Sequence, residues 1–133
     1  MEDVQRFPIE TQADVEVARR AARTLATTLG FGTADVERVV LATLELATNL
    51  RRYAVRGELI LRPAEFGGHG LRIESRDAGP GIADLDAALR DGVSTGDGLG
   101  SGLAGVRRLM DEMTITTASR GTSIVVHKWL TNR

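Results

Sequence analysis

The spacing of apolar positions divides the chain into a short strand, two long helices, a hairpin, a glycine-rich middle, and a closing helix and hairpin. Residues 4–9 alternate weakly. Pro8 suits only the border of a sheet, because it has no N–H to give a neighbouring strand. Thr11 and Asp14 form a capping box with Asp in place of the usual Glu. The stripe Ala18, Ala21, Ala22, Leu25, Ala26, Leu29 then predicts a helix that Gly30 stops. Thr33 is placed to cap a second helix running to about residue 54. Its core stripe is Val36, Val39, Val40, Thr43, Ala47, Leu50 and Ala54. Arg38, Glu45, Asn49, Arg52 and Arg56 fall along another side, so Glu45 and Asn49, four apart, are stacked neighbours.

Residues 58–65 and 71–77 read as two strands joined by the turn Gly67-Gly68-His69-Gly70. In the second strand Leu71, Ile73 and Ser75 face one way and Arg72, Glu74 and Arg76 the other. Asp77 continues the first set, which points its carboxylate toward the apolar side, where it needs a donor. There follow the turn Asp77-Ala-Gly79-Pro80-Gly81-Ile82, a short helix over 84–90, and a loop with glycine at 96, 98, 100 and 102. Leu103, Val106, Leu109 and Met110 predict a helix over 102–112. Free N–H groups in such a loop and in the first turn after it suit phosphate oxygens. Residues 113–118 and 122–130 close the chain as two strands about Arg120-Gly121. This order predicts an α+β fold, a two-layer sandwich with helices on one face of a mixed, mainly antiparallel sheet.

Composition narrows the chemistry. At 133 residues the chain fits one domain, 1–133. A net charge of −1 gives no broad basic field for nucleic acid, although Arg51, Arg52 and Arg56 cluster locally; a solvated helix face is the plainer reading there. Cysteine is absent, which removes disulfides, thiolate metal sites and thiol nucleophiles. No apolar run approaches membrane-spanning length, and the acidic start resembles no export signal, so the cytoplasm is the expected compartment. Lys128 is the only lysine and sits near the C-terminus; neither a Walker loop nor the early-strand lysine of a eukaryotic-type kinase can be assembled. Gly100, Gly102 and Gly105 satisfy GxGxxG, but they follow a glycine loop rather than a strand, and no acid lies beyond Glu112. His69 and His127 lack ligand spacing, Trp129 reads as a packing residue, and Arg107 and Arg108 suit solvent, a phosphate or a partner.

In order, ELATN (Glu45 to Asn49), DAGPGI (Asp77 to Ile82), GDGLGSGL (Gly96 to Leu103) and Gly121-Thr122 resemble the N, G1, G2 and G3 boxes of the GHKL, or Bergerat-fold, ATP-binding family. The compact size, the short lid, Gly30-Phe31-Gly32-Thr33, LMDE (Leu109 to Glu112) and HKWL (His127 to Leu130) resemble the RsbT-like serine/threonine switch kinases of the bacterial stressosome. The resemblance implies ATP and Mg²⁺ as cofactors, Asp77 and Thr122 at the adenine, Gly79 and Gly81 against the base, and Asn49 on the metal. It also implies Gly98, Gly100, Gly102 and Leu103 over the phosphates, with Glu45 as general base. The implied substrates are STAS-domain proteins of the RsbS/RsbR kind, with a downstream phosphatase or other output protein as a further partner. An anti-sigma factor of the RsbW/SpoIIAB type is the alternative. Thr48 and Leu50-Arg51-Arg52 depart from the switch kinases, which often carry a basic residue at the first position and a more apolar run at the second. They flank the site and bear on partner choice.

Overall fold

The computed structural model describes residues 4–53, 56–64, 69–79, 102–118 and 120–130. Its elements are β1 (Gln5–Pro8), α1 (Gln12–Leu29), α2 (Thr33–Tyr53), β2 (Glu58–Pro63), β3 (Gly70–Asp77), α3 (Leu103–Leu109), β4 (Glu112–Ala118) and β5 (Gly121–Trp129). The expected short helix over 84–90 lies outside the described residues.

Both ends of α1 follow the sequence. Thr11 Oγ1 accepts from the Asp14 N–H at 3.2 Å, and Asp14 Oδ2 accepts from the N–H groups of Thr11 and Glu10 at 3.0 and 2.9 Å. The backbone N–H of Glu10, then that of Thr11, holds the Asp14 carboxyl below its ordinary pKa. At the other end Gly30 takes φ 100°, and the N–H groups of Gly30 and Phe31 reach back to Thr27 O and Ala26 O, both at 3.1 Å. That is a Schellman stop, which a left-handed glycine permits. The start of α2 differs from expectation by one residue. Gly32 O accepts the first helical bond, from Val36 N–H at 2.9 Å, so Gly32 rather than Thr33 is the cap. The helix over 102–112 is likewise shorter than expected, because Met110 turns to extended backbone and Asp111 N–H pairs with His127 O at 2.9 Å.

The sheet order is β1-β2-β3-β5-β4, and every pairing among the described residues is antiparallel. Pro8 lies on the edge strand β1, where its missing N–H is harmless. β5 is inserted between β3 and β4, so the start of β5 lies beside the end of β3. Leu59, Leu61, Leu71, Ile73, Ile124 and Val126 point to the helix side and share one core with Val15, Ala22, Val39, Leu46 and Val106. Each such Leu or Ile contributes about 1.5–3 kcal/mol by leaving water. Thr43, buried among them, donates its hydroxyl to Val39 O at 2.8 Å and so leaves no polar atom unmet.

The single lysine has a structural place. Lys128 is 8% exposed, with Nζ 3.1 Å from Asp111 Oδ1 and 3.6 Å from Asp35 Oδ1. Asp111 Oδ2 also accepts the Trp129 N–H at 2.7 Å. The amine therefore fastens the first turn of α2 to the turn after α3, through the end of β5. Trp129 is half-buried, stacks on His127 at a ring-centroid distance of 5.0 Å, and donates Nε1–H to Glu112 Oε2 at 3.2 Å. It is a packing residue on the outer face of the sheet.

Candidate functional site

Toward the end of β3 the helix-facing side of the sheet changes character. Leu71 and Ile73 on β3 and Val126 and Ile124 on β5 give way to Ser75, Asp77 and Thr122, all on the same side. Asp77 and Thr122 are register partners across β3 and β5. Thr122 is buried, and its hydroxyl lies 3.0 Å from that of Thr117, its partner on β4. A carboxylate and two hydroxyls thus end an otherwise apolar surface. Such a corner suits a flat aromatic group with a polar edge.

The chain leaves β3 in a tight turn. Asp77 Oδ1 accepts the Gly79 N–H at 2.8 Å, and Gly79 is buried. This bond occupies Oδ1 within the turn and leaves Oδ2 for a further donor. Gly121 explains how Asp77 and Thr122 come so close. It takes φ +150°, and a Cβ built there falls 2.3 Å from Asp77 O. No side chain fits between the two strand ends. Gly121→Ala is expected to destabilise the protein by about 2 kcal/mol or more through backbone strain and overlap, visible as a lower denaturant midpoint. An unchanged midpoint would mean the two strand ends can part without cost.

Glu45 lies in the middle of α2 and is 6% exposed, so the polar stripe it belongs to is not solvated along its whole length. Arg38 and Arg52 at either end of that stripe are exposed, and Asn49, one turn after Glu45, is half-buried. Burying a carboxylate costs several kcal/mol, which its interactions must offset. α2 lies against β3 and α3. Gly102, at φ 65°, precedes α3, and Leu103, Ala104 and Val106 of α3 are buried. The first N–H groups of α3 have no intrahelical acceptor, since the Val106 N–H makes the first such bond, to Gly102 O at 3.1 Å. Gly81, Gly98 and Gly100 lie outside the described residues. Asp77, Gly79 and Thr122 therefore form one group in the structure, while Glu45 and Asn49 form another on a helix packed against the same strand.

The donor set of the described residues bears on what metal they can hold. No three His, Cys, Asp or Glu side chains come together as a metal cage among the described residues. Asn49 offers one amide oxygen. That fits Mg²⁺, which keeps water and takes most of its ligands from phosphate, better than a metal needing a full protein shell. Neither histidine joins the site. His127 is on the opposite face of the sheet, where burial lowers its pKa, Glu112 partly offsets this and Arg72 adds to it.

Sequence reading missed the Asp35–Lys128–Asp111 cluster. LMDE and HKWL lie far apart in the sequence, and the structure joins them: Asp111 bonds Lys128 and the Trp129 backbone, and Glu112 meets both aromatic rings. One acid pair beside one lysine was the available signal.

The histidine kinase-like ATPase domain model matches residues 9–128. The chain is 45% identical over 132 residues to the serine/threonine-protein kinase RsbT of Bacillus subtilis (strain 168), covering 98% of this chain and 99% of that protein. Among solved structures, the RsbU and RsbW domains of a Mycobacterium tuberculosis protein superpose with a TM-score of 0.68 at 19% identity. That match covers 98% of this chain and 33% of the other. The histidine kinase AdeS of Acinetobacter baumannii gives a TM-score of 0.57 at 17% identity, with 99% and 70% covered. At these identities the structural matches speak to the fold alone.

Proposed function

Because this chain belongs to the histidine kinase-like ATPase family, and within it to the RsbT-type serine/threonine-protein kinases, we propose that it phosphorylates a STAS-domain protein in a partner-switching pathway. In this reading residues 1–133 act as one ATP-binding kinase unit in the cytoplasm. Asp77 accepts a hydrogen bond from the exocyclic amine of ATP, Thr122 completes adenine recognition, and Gly79 and Gly81 let the turn lie against the base. Gly98, Gly100, Gly102 and Leu103 offer backbone N–H groups to the phosphates. Asn49 holds Mg²⁺, which supplies charge neutralisation to the triphosphate.

Glu45 receives the proton of the serine or threonine hydroxyl as that oxygen bonds to the γ-phosphorus. The bond from the γ-phosphorus to the β–γ bridging oxygen breaks, and ADP and a phosphorylated protein result. No side chain of this protein forms a covalent intermediate. The observation that carries the reading is Glu45, a carboxylate held 6% exposed one helical turn from Asn49.

The test is phosphate transfer from γ-labelled ATP to STAS-domain proteins encoded in the same genome, run beside a pull-down with sigma factors. Labelling of a STAS protein on serine or threonine is expected. Stable capture of a sigma factor without labelling would replace this reading with the anti-sigma one.

A further inference from the structure

Glu45, Asn49 and Arg52 follow one another at i, i+4 and i+7, so Arg52 extends the stripe of the proposed base and metal ligand by one turn. Arg51 and Arg52 are both exposed, in the last turn of α2, and Arg56 is exposed just beyond it. Their surroundings differ from those of six other arginines. Arg6, Arg19, Arg23, Arg38, Arg72 and Arg76 each have a carboxylate within 4 Å. Arg51, Arg52 and Arg56 pair with no described carboxylate.

Three positive charges within six positions repel one another, and the negative end of the α2 dipole offsets only part of that. Arg56 adds a backbone cost. It takes φ 57° and is the one non-glycine residue at positive φ among the described residues. Glycine would relax that position. An arginine there adds a third exposed guanidinium just after α2 in the sequence, at the expense of local stability.

Resting on the kinase reading above, we propose that Arg51, Arg52 and Arg56 form a docking surface for an acidic face of the phosphoacceptor protein. The chain's own net charge is −1, so the attraction is local to this end of α2 and not a property of the whole surface. A partner whose acidic residues lie beside its acceptor hydroxyl is drawn to this end of the helix, and the hydroxyl then meets Glu45 along the same stripe. Rim charges of this kind act on encounter and on salt dependence rather than on the bound chemistry.

The test compares wild type with Arg51→Glu/Arg52→Glu, Arg51→Lys/Arg52→Lys and Arg56→Gly. The first probe is a fluorescein-labelled glutamate-rich peptide, followed by anisotropy in 50 and 300 mM salt. Wild type and the lysine pair are expected to bind it at low salt; the glutamate pair is expected to lose binding. In transfer to the STAS protein, the glutamate pair should raise the KM for protein about tenfold or more at low salt, with kcat and ATP affinity unchanged. Arg56→Gly should raise that KM while the melting temperature stays level or rises, which a purely structural role would not produce.

An unchanged KM in the glutamate pair, with wild type active, overturns the docking surface and leaves the kinase reading intact. Absence of transfer by wild type overturns the kinase reading and the identity of the docked protein together. Binding of polyuridylic acid or of phosphatidylglycerol vesicles through these arginines, with no binding of the acidic peptide, assigns the patch to another partner.

Discussion

Glu45→Ala is expected to leave ATP bound with near wild-type affinity while phosphoryl transfer falls by about 10²–10⁴-fold, the usual worth of a positioned general base. The separation follows from what the carboxylate touches in each state. Glu45 is not among the groups assigned to adenine, to the phosphates or to Mg²⁺, so removing it subtracts little from the bound nucleotide. In the transition state the hydroxyl must shed its proton, and only then is the missing acceptor felt. Glu45→Gln is the necessary companion, because the residue is 6% exposed and alanine would also leave a cavity in α2. Loss of transfer in both variants, with ATP affinity retained by calorimetry, identifies a base. Equal loss of nucleotide binding would instead make Glu45 part of the scaffold.

Asp77→Asn is expected to act on the other half of the reaction and weaken ATP binding by about ten- to a hundredfold, the range for a hydrogen bond to a charged acceptor. The substitution is nearly isosteric, and its amide oxygen can still accept the Gly79 N–H now 2.8 Å from Oδ1. The turn should therefore survive. What changes is the second position of the side chain, where an NH₂ donor replaces an acceptor and faces the donor amine of adenine. Discrimination against GTP should shrink with it, since guanine presents an oxygen at that edge. A measured ATP affinity within twofold of wild type would remove Asp77 from the adenine site.

Much of this was legible before any coordinates. The capping box at Thr11, the glycine stop at Gly30 and the edge position of Pro8 all follow from local chemistry and were read correctly. So was the inward direction of Asp77, because alternation along β3 depends on nothing outside the strand. The start of α2 was misplaced by one residue because Thr33 and Gly32 are both acceptable caps, and only the partner of the Val36 N–H decides between them. Two further features needed the fold. Helical periodicity put Glu45 on the polar side of α2, but its burial depends on how α2 meets its neighbours. The facing of Asp77 and Thr122 depends on β5 entering the sheet between β3 and β4, a strand order that no local pattern encodes.

With the sole lysine sunk among Asp35 and Asp111, every side-chain cation exposed on the described residues, histidine aside, is a guanidinium. Guanidinium stays protonated throughout the pH range in which proteins remain folded. Acetyl transfer to lysine thus has no exposed side chain to neutralise there, and amine-directed crosslinkers have none to attack. If the cell tunes attraction at the basic end of α2, the adjustable partner is the acidic one, whose charge can be changed by phosphorylation.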